Sequence, residues 1–203
     1  MKKLRIGLVI LISAAAGHAQ KKDEARFAPG PASSFHSKQT IENVTVAAEA
    51  YDSDELTQTA FGKLNPNQYG ILPVLVIIQN DTGQALRLDN VMVELVDAAN
   101  RHVEATPASE VQYINGPSRP SATAGTGGAP LPIHKKHKNP LSAWEIEGRA
   151  FAPKMLPAHE GASGFFYFQA RMLPGAHLYL TGIQQAASGK ELFYFEIPLE
   201  MHR

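Results

Sequence analysis

Residues 70–80 form the longest apolar run outside the N-terminus, Gly70-Ile71-Leu72-Pro73-Val74-Leu75-Val76-Ile77-Ile78-Gln79-Asn80. It is rich in β-branched residues and ends at the turn signal Asn80-Asp81-Thr82-Gly83, which predicts a strand. Both of its alternating sets are apolar: Val74, Val76 and Ile78 on one side, Leu75 and Ile77 on the other. A strand of that kind is covered on both faces, here by an opposing sheet and by a helix or loop. Pro73 lacks a ladder N–H and is expected near the start of the strand.

Upstream, residues 40–50 alternate, with Val44, Val46, Ala48 and Ala50 facing inward against Thr45, Ala47 and Glu49. Asp52-Ser53-Asp54-Glu55 opens a short helix, and Asp52 with Glu55 has the spacing of a capping box. Leu56, Ala60 and Phe61 supply its apolar face and Gly62 ends it. Downstream, Leu86 and Leu88, then Val91, Val93 and Leu95, alternate with other residues, and Asp97-Ala98-Ala99-Asn100 makes a second turn. Asn139-Pro140 has the cap chemistry of a helix start, with Leu141, Trp144, Gly148 and Phe151 roughly along one face. A strand through Trp144 and Ile146 is the alternative. Three aromatic strands follow, around residues 164–170, 177–183 and 191–197, with the turn-rich stretch 156–164 ahead of them. Short strands with frequent turns predict a mainly β chain, an antiparallel β-sandwich with one or two short helices.

The ends and the middle of the chain break this pattern. Residues 1–19 read as a signal peptide: a basic start (Lys2, Lys3, Arg5), a short apolar stretch, and small residues Gly17 and Ala19 before a cut between Ala19 and Gln20. The apolar stretch is shorter than the about 20 residues that span a bilayer. Residues 20–39 are polar and Pro/Gly/Ser-rich and are expected to be a flexible arm in which Phe27 and Phe35 dock loosely. The main domain then covers residues 40–203, with residues 115–140 as a long, mobile, low-complexity loop insertion.

Composition narrows the chemistry. The chain has no cysteine, so lipid attachment through a cysteine, disulfides, zinc–thiolate sites and thiol catalysis are all excluded. Its 19 basic and 19 acidic residues balance, and removing the three basic residues of the signal leaves a mature charge of about −3. That argues against nucleic-acid or anionic-membrane partners, which select a basic footprint.

The order of central strand, Asn-Asp turn, strand pair, long connection, Leu-Pro loop and Gly-Phe-Phe-Tyr-Phe strand resembles the immunoglobulin-like domains of bacterial secreted proteins and lipoproteins. The resemblance covers residues 40–199. It departs from them in lacking a lipid-attachment cysteine and in carrying the long insertion. It implies a sandwich fold and a periplasmic or extracellular setting, and it implies no reaction.

Candidate chemistry is sparse. His134 and His137 have a spacing that places two imidazoles on one metal, and His159 with Glu160 would complete a set, but three lysines surround the pair and oppose a dication. Gly161-Ala162-Ser163-Gly164 is close to a serine elbow yet lacks its spacing, and a turn before a strand is the better reading. Asn43 and Asn80 head glycosylation sequons. The aromatic residues of the last third are expected in the core; an exposed row of rings would point to sugar stacking. The function expected is an exported, non-enzymatic module with no cofactor, binding a protein or envelope partner through the arm or the loop. A metal-dependent enzyme using His134, His137 and His159, or a carbohydrate-binding module, are the alternatives.

Overall fold

The computed structural model describes residues 27–114 and 139–202. Its strands are β1 (Lys38–Ile41), β2 (Val44–Ala50), β3 (Leu72–Asn80), β4 (Leu86–Arg87), β5 (Met92–Val96), β6 (His102–Glu104), β7 (Met155–Leu156), β8 (Gly161–Phe168), β9 (His177–Thr181), β10 (Gln184–Gln185) and β11 (Phe195–Pro198). Among the described residues three α-helices accompany them, α1 (Asp54–Phe61), α2 (Ala108–Val111) and α3 (Trp144–Gly148). The chain is therefore mainly β with a few short helices. Two four-stranded sheets run β1-β2-β3-β8 and β11-β9-β5-β6, and a small sheet runs β10-β4-β7. Every pairing between these strands is antiparallel.

The alternation of the sequence explains how the layers assemble. Val74, Val76 and Ile78 of β3 join Val44, Val46, Val93, Leu95, Leu178, Leu180, Phe195 and Ile197 in one core between the two large sheets. Leu75 and Ile77, on the opposite side of the same strand, join a second core with Ala47, Phe165, Tyr167 and the helix residues Ala60, Phe61, Val111 and Ile146. The central strand is thus covered by a sheet on one face and by helices on the other. All its residues but Gln79 are buried.

Four local expectations are corrected. The cap of α1 is Ser53, whose Oγ accepts from Leu56 N at 3.3 Å, and not Asp52. Asp52 instead accepts from the backbone N–H of His202. Gly62 closes the helix at φ +64°, as glycine does best. The Asn139 helix is broken in two: Asn139 Oδ1 accepts from Leu141 N at 3.0 Å to start the 3₁₀ turn Pro140–Ser142, extended Ala143 interrupts, and α3 begins at Trp144. A continuous helix would point Leu141 and Ile146 about 140° apart; the break lets both reach the second core. Trp144 stays 63 % exposed, and Phe151 lies beyond the helix.

The third correction concerns residues 161–164, which form the first half of β8 and are no turn. Ile77 pairs with Ser163 and Val76 with Gly164. A neighbouring segment explains the glycine. Residues 149–151 run beside β8, with Phe165 N donating to Arg149 O at 2.8 Å and Phe151 N to Phe165 O at 3.0 Å. A β-carbon on Gly164 would lie 2.4 Å from the Phe151 Cα, so only glycine admits this approach.

The fourth concerns the expected arm, whose described part is held against the domain. Phe27 packs on Tyr51 and Phe165, with centroids 6.2 and 5.4 Å apart, and Ala32 is fully buried. Lys38 Nζ donates to Ser33 O and Phe35 O, and β1 starts at that lysine. Packing the half-buried rings of Phe27 and Phe35 against the second core offsets part of the entropy of ordering this polar stretch. Of the expected loop insertion, residues 115–140, residues 115–138 lie outside the described residues, and Asn139 and Pro140 open the 3₁₀ turn.

Candidate functional site

A cavity lies in the seam where the two large sheets part. β6 pairs only with Glu94–Val96 of β5. Past Glu104 the chain leaves that sheet: Ala105 N still donates to Val93 O at 3.2 Å, but Thr106 N donates to Tyr167 O of β8 at 2.7 Å. The crossing leaves the first half of β5 facing a cleft of about 360 Å³. Its walls are Val91, Val93, Ala105, Phe151 and Phe166. Phe166 comes from the core-facing side of β8, opposite Val74, and stacks on Phe151 at 5.3 Å between centroids. The cleft therefore reaches toward the intersheet core. Met92, 67 % exposed, stands at its lip beside Glu94 and Glu104.

The lip continues onto the outer face of the same sheet. Because Val93, Leu95, Leu178, Leu180, Phe195 and Ile197 point into the core, their alternates point outward. The register aligns Glu104, Glu94, Tyr179 and Glu196 in one row across all four strands. Glu94 directly opposite Glu104 is a like-charge pair, which destabilises a sheet by a few tenths of a kcal/mol or more. His102 Nδ1 lies 2.7 Å from Glu94 Oε2 and His177 Nε2 lies 3.4 Å from Glu196 Oε1, so imidazoles flank two of the three carboxylates.

A second set of polar groups holds the fold together. The Tyr167 hydroxyl donates to Ile146 O at 2.7 Å, and burial pushes its ionisation far above the usual tyrosine range, only partly opposed by the Arg149 charge. The Arg149 guanidinium lies 5.3 Å from the Phe27 ring and 5.6 Å from the Trp144 ring, pinning the docked segment. Asn80 is fully buried, with Nδ2 donating to the carbonyls of Gln84, Leu156 and Pro157 and Oδ1 accepting from Thr82 N and Oγ1. That engagement leaves the Asn80 amide, which heads a sequon, buried and in use within the fold. Glu49, near His202, has its carboxyl held above the usual range by burial, with His202 acting the other way.

Of the residues singled out in the sequence, Ala19, Gln20, His134 and His137 lie outside the described residues. His159 is exposed in a turn at φ +63°. Among the described residues no three His, Asp or Glu side chains are grouped to hold a metal ion. Ser163 sits mid-ladder opposite Ile77. Phe165, Tyr167, Phe168 and Phe195 are core residues, while Phe193 and Tyr194 are exposed. Sequence reasoning missed the cleft, whose walls come from segments far apart along the chain, around residues 91–94, 104–108, 150–151 and 165–167. No local signal gave it away: Met92 shares its side of β5 with Glu94 and with the buried, apolar Val96.

No protein-family model matches the chain, and no curated protein matches it. Among solved structures it is similar to a functionally unknown protein from Listeria monocytogenes EGD-e, at 11% identity over 79% of each chain with a TM-score of 0.37. It is also similar to the Northeast Structural Genomics Consortium target SoR45, at 14% identity over 79% of this chain and 95% of that one, with a TM-score of 0.33. Neither likeness is near enough to carry a functional argument. Among the described residues no helix is long and apolar enough to cross a membrane.

Proposed function

We propose that this chain is an exported, non-enzymatic immunoglobulin-like β-sandwich module that binds a protein or cell-envelope partner at the lip of the intersheet cleft. The N-terminal pattern of basic, apolar and small residues supports export. The two facing sheets support the sandwich reading. The observation that carries the site is Met92, exposed beside a cleft with apolar walls and ringed by carboxylates. Methionine is enriched at interface cores because its flexible thioether adapts to a partner. The volume suits one large apolar side chain, being at the lower end of the about 300–1,000 Å³ seen for ligand pockets. Glu94 and Glu104 at the rim select a partner that surrounds this anchor with basic groups and speed its encounter.

A photo-crosslinking residue placed at Met92 tests the reading. In an envelope fraction it should give a discrete covalent adduct, absent when the same residue replaces exposed Lys63 on the helical side. No adduct from position 92, or equal labelling from both, would refute docking at the cleft.

A further inference from the structure

We propose that the β9–β11 edge of the outer sheet face is a saccharide-binding groove. This does not depend on the cleft, since β11 and β6 are opposite edges of one sheet. A groove of about 400 Å³ lies there, lined by Gln39, Gly175, His177, Tyr194, Glu196 and Pro198. Its aromatic element is Tyr194, half-exposed and braced by Tyr179 with centroids 5.1 Å apart. Its polar elements converge on Glu196: the Gln39 Oε1 accepts from the Glu196 backbone N–H at 2.8 Å, and His177 Nε2 stands 3.4 Å from the Glu196 carboxylate. The first contact holds the Gln39 side chain in place before any ligand arrives, which lowers the entropy cost of binding.

The chemistry selects a sugar. A pyranose has an apolar C–H face that covers an aromatic ring, and a rim of hydroxyls that both donate and accept. The groove offers a ring, a carboxylate that accepts and an amide nitrogen that donates. Among the described residues no hydrogen bond occupies the Gln39 amide nitrogen. A proline-rich peptide is the other ligand that docks on tyrosine-lined grooves. It suits this one less well, because proline has no N–H to give the Glu196 carboxylate. A simple cation is also less suited, because His177 already faces that charge.

Titration of the ¹⁵N-labelled chain, followed by amide chemical shifts, tests the groove. The probes are cellotetraose and chitotetraose, with decaproline as the competing arm. At least one saccharide should give saturable shifts centred on His177, Tyr194 and Glu196. Tyr194→Ala should weaken it about tenfold, the loss of one ring contact. Tyr194→Phe should retain the affinity, and Met92→Ala, at the cleft lip, should leave it unchanged. Dispersed spectra of each variant report its folding, and Glu196→Gln supplies a second weakening variant should Tyr194→Ala not fold. The proposal is overturned if neither saccharide gives saturable shifts, if the shifts centre elsewhere, if folded Tyr194→Ala binds as the parent does, or if decaproline alone binds in the groove. Failure of the Met92 crosslink with success here, or the reverse, separates this proposal from the cleft reading.

Discussion

Gly164→Ala is a single methyl group placed against backbone. The added carbon would stand 2.4 Å from the Phe151 Cα, 2.6 Å from the Phe151 nitrogen and 2.9 Å from the Ala150 carbonyl carbon. Carbon atoms in ordinary contact are about 3.5–4.0 Å apart, so residues 150–151 must retreat by more than about 1 Å. That retreat breaks the bonds from Phe165 N to Arg149 O and from Phe151 N to Phe165 O. Overpacking costs about 1–3 kcal/mol, and each lost hydrogen bond about 1 kcal/mol. A destabilisation of about 3 kcal/mol follows, allowing for water to take up some of the freed groups. For a chain of this size each kcal/mol moves the melting temperature by about 2–4 °C, giving a drop of about 6–12 °C. Gly161→Ala is the internal control. Its new carbon meets chiefly the Gln79 Oε1 at 2.8 Å, the far end of a side chain that can swing away. That variant should stay within about 1 kcal/mol of the parent, in the range of surface substitutions. Thermal unfolding followed by far-ultraviolet circular dichroism reads both. A Gly164→Ala protein melting within 2 °C of the parent, or a Gly161→Ala protein falling equally far, would refute the close apposition of residues 149–151 with β8. Because Phe151 forms a wall of the cleft, Gly164→Ala should also raise the fluorescence of a bound anilinonaphthalene dye.

Asn80→Ala should cost about 3 kcal/mol in urea unfolding, since buried partners of a lost group are each worth about 1–3 kcal/mol; Asn80→Asp should be as damaging at neutral pH, where a carboxylate would face the carbonyls of Gln84, Leu156 and Pro157, and should recover as acid restores one donor. Glu49→Gln should raise the melting temperature at neutral pH. Burial holds the Glu49 carboxyl above its ordinary value of 4.5 despite His202, so the folded state keeps that proton more firmly than the unfolded chain does. The parent therefore loses stability as pH rises through and above that value, and the advantage of the variant should fade as pH falls below it; melts across this range check the sign.

Much of the fold was legible because its signals are local. The two apolar sets of β3 named both of its coverings, and the Asp97 turn is visible in the sequence and realised in the structure: Asp97 Oδ1 accepts from Ala99 N and Arg101 N. What escaped depends on distant neighbours. Nothing around Gly164 announces that residues 149–151 will lie against it, so two nearby glycines read as a turn. Asp52 and Ser53 are equally good capping residues in isolation, and His202, some 150 positions away, engages Asp52 and leaves Ser53 to α1. The cleft was hidden for the same reason. The sheet register then decides which aromatics are exposed: Tyr179 and Tyr194 meet on the outer face, while Phe195, one residue further on, turns inward.

β3 turns neither face to water, so the helical layer and the intersheet layer have no independent existence. A lesion planted among the helices is transmitted through a shared backbone to residues it never touches. The domain should therefore come apart cooperatively, in one step, with no stage at which the sheets survive and the helices have gone.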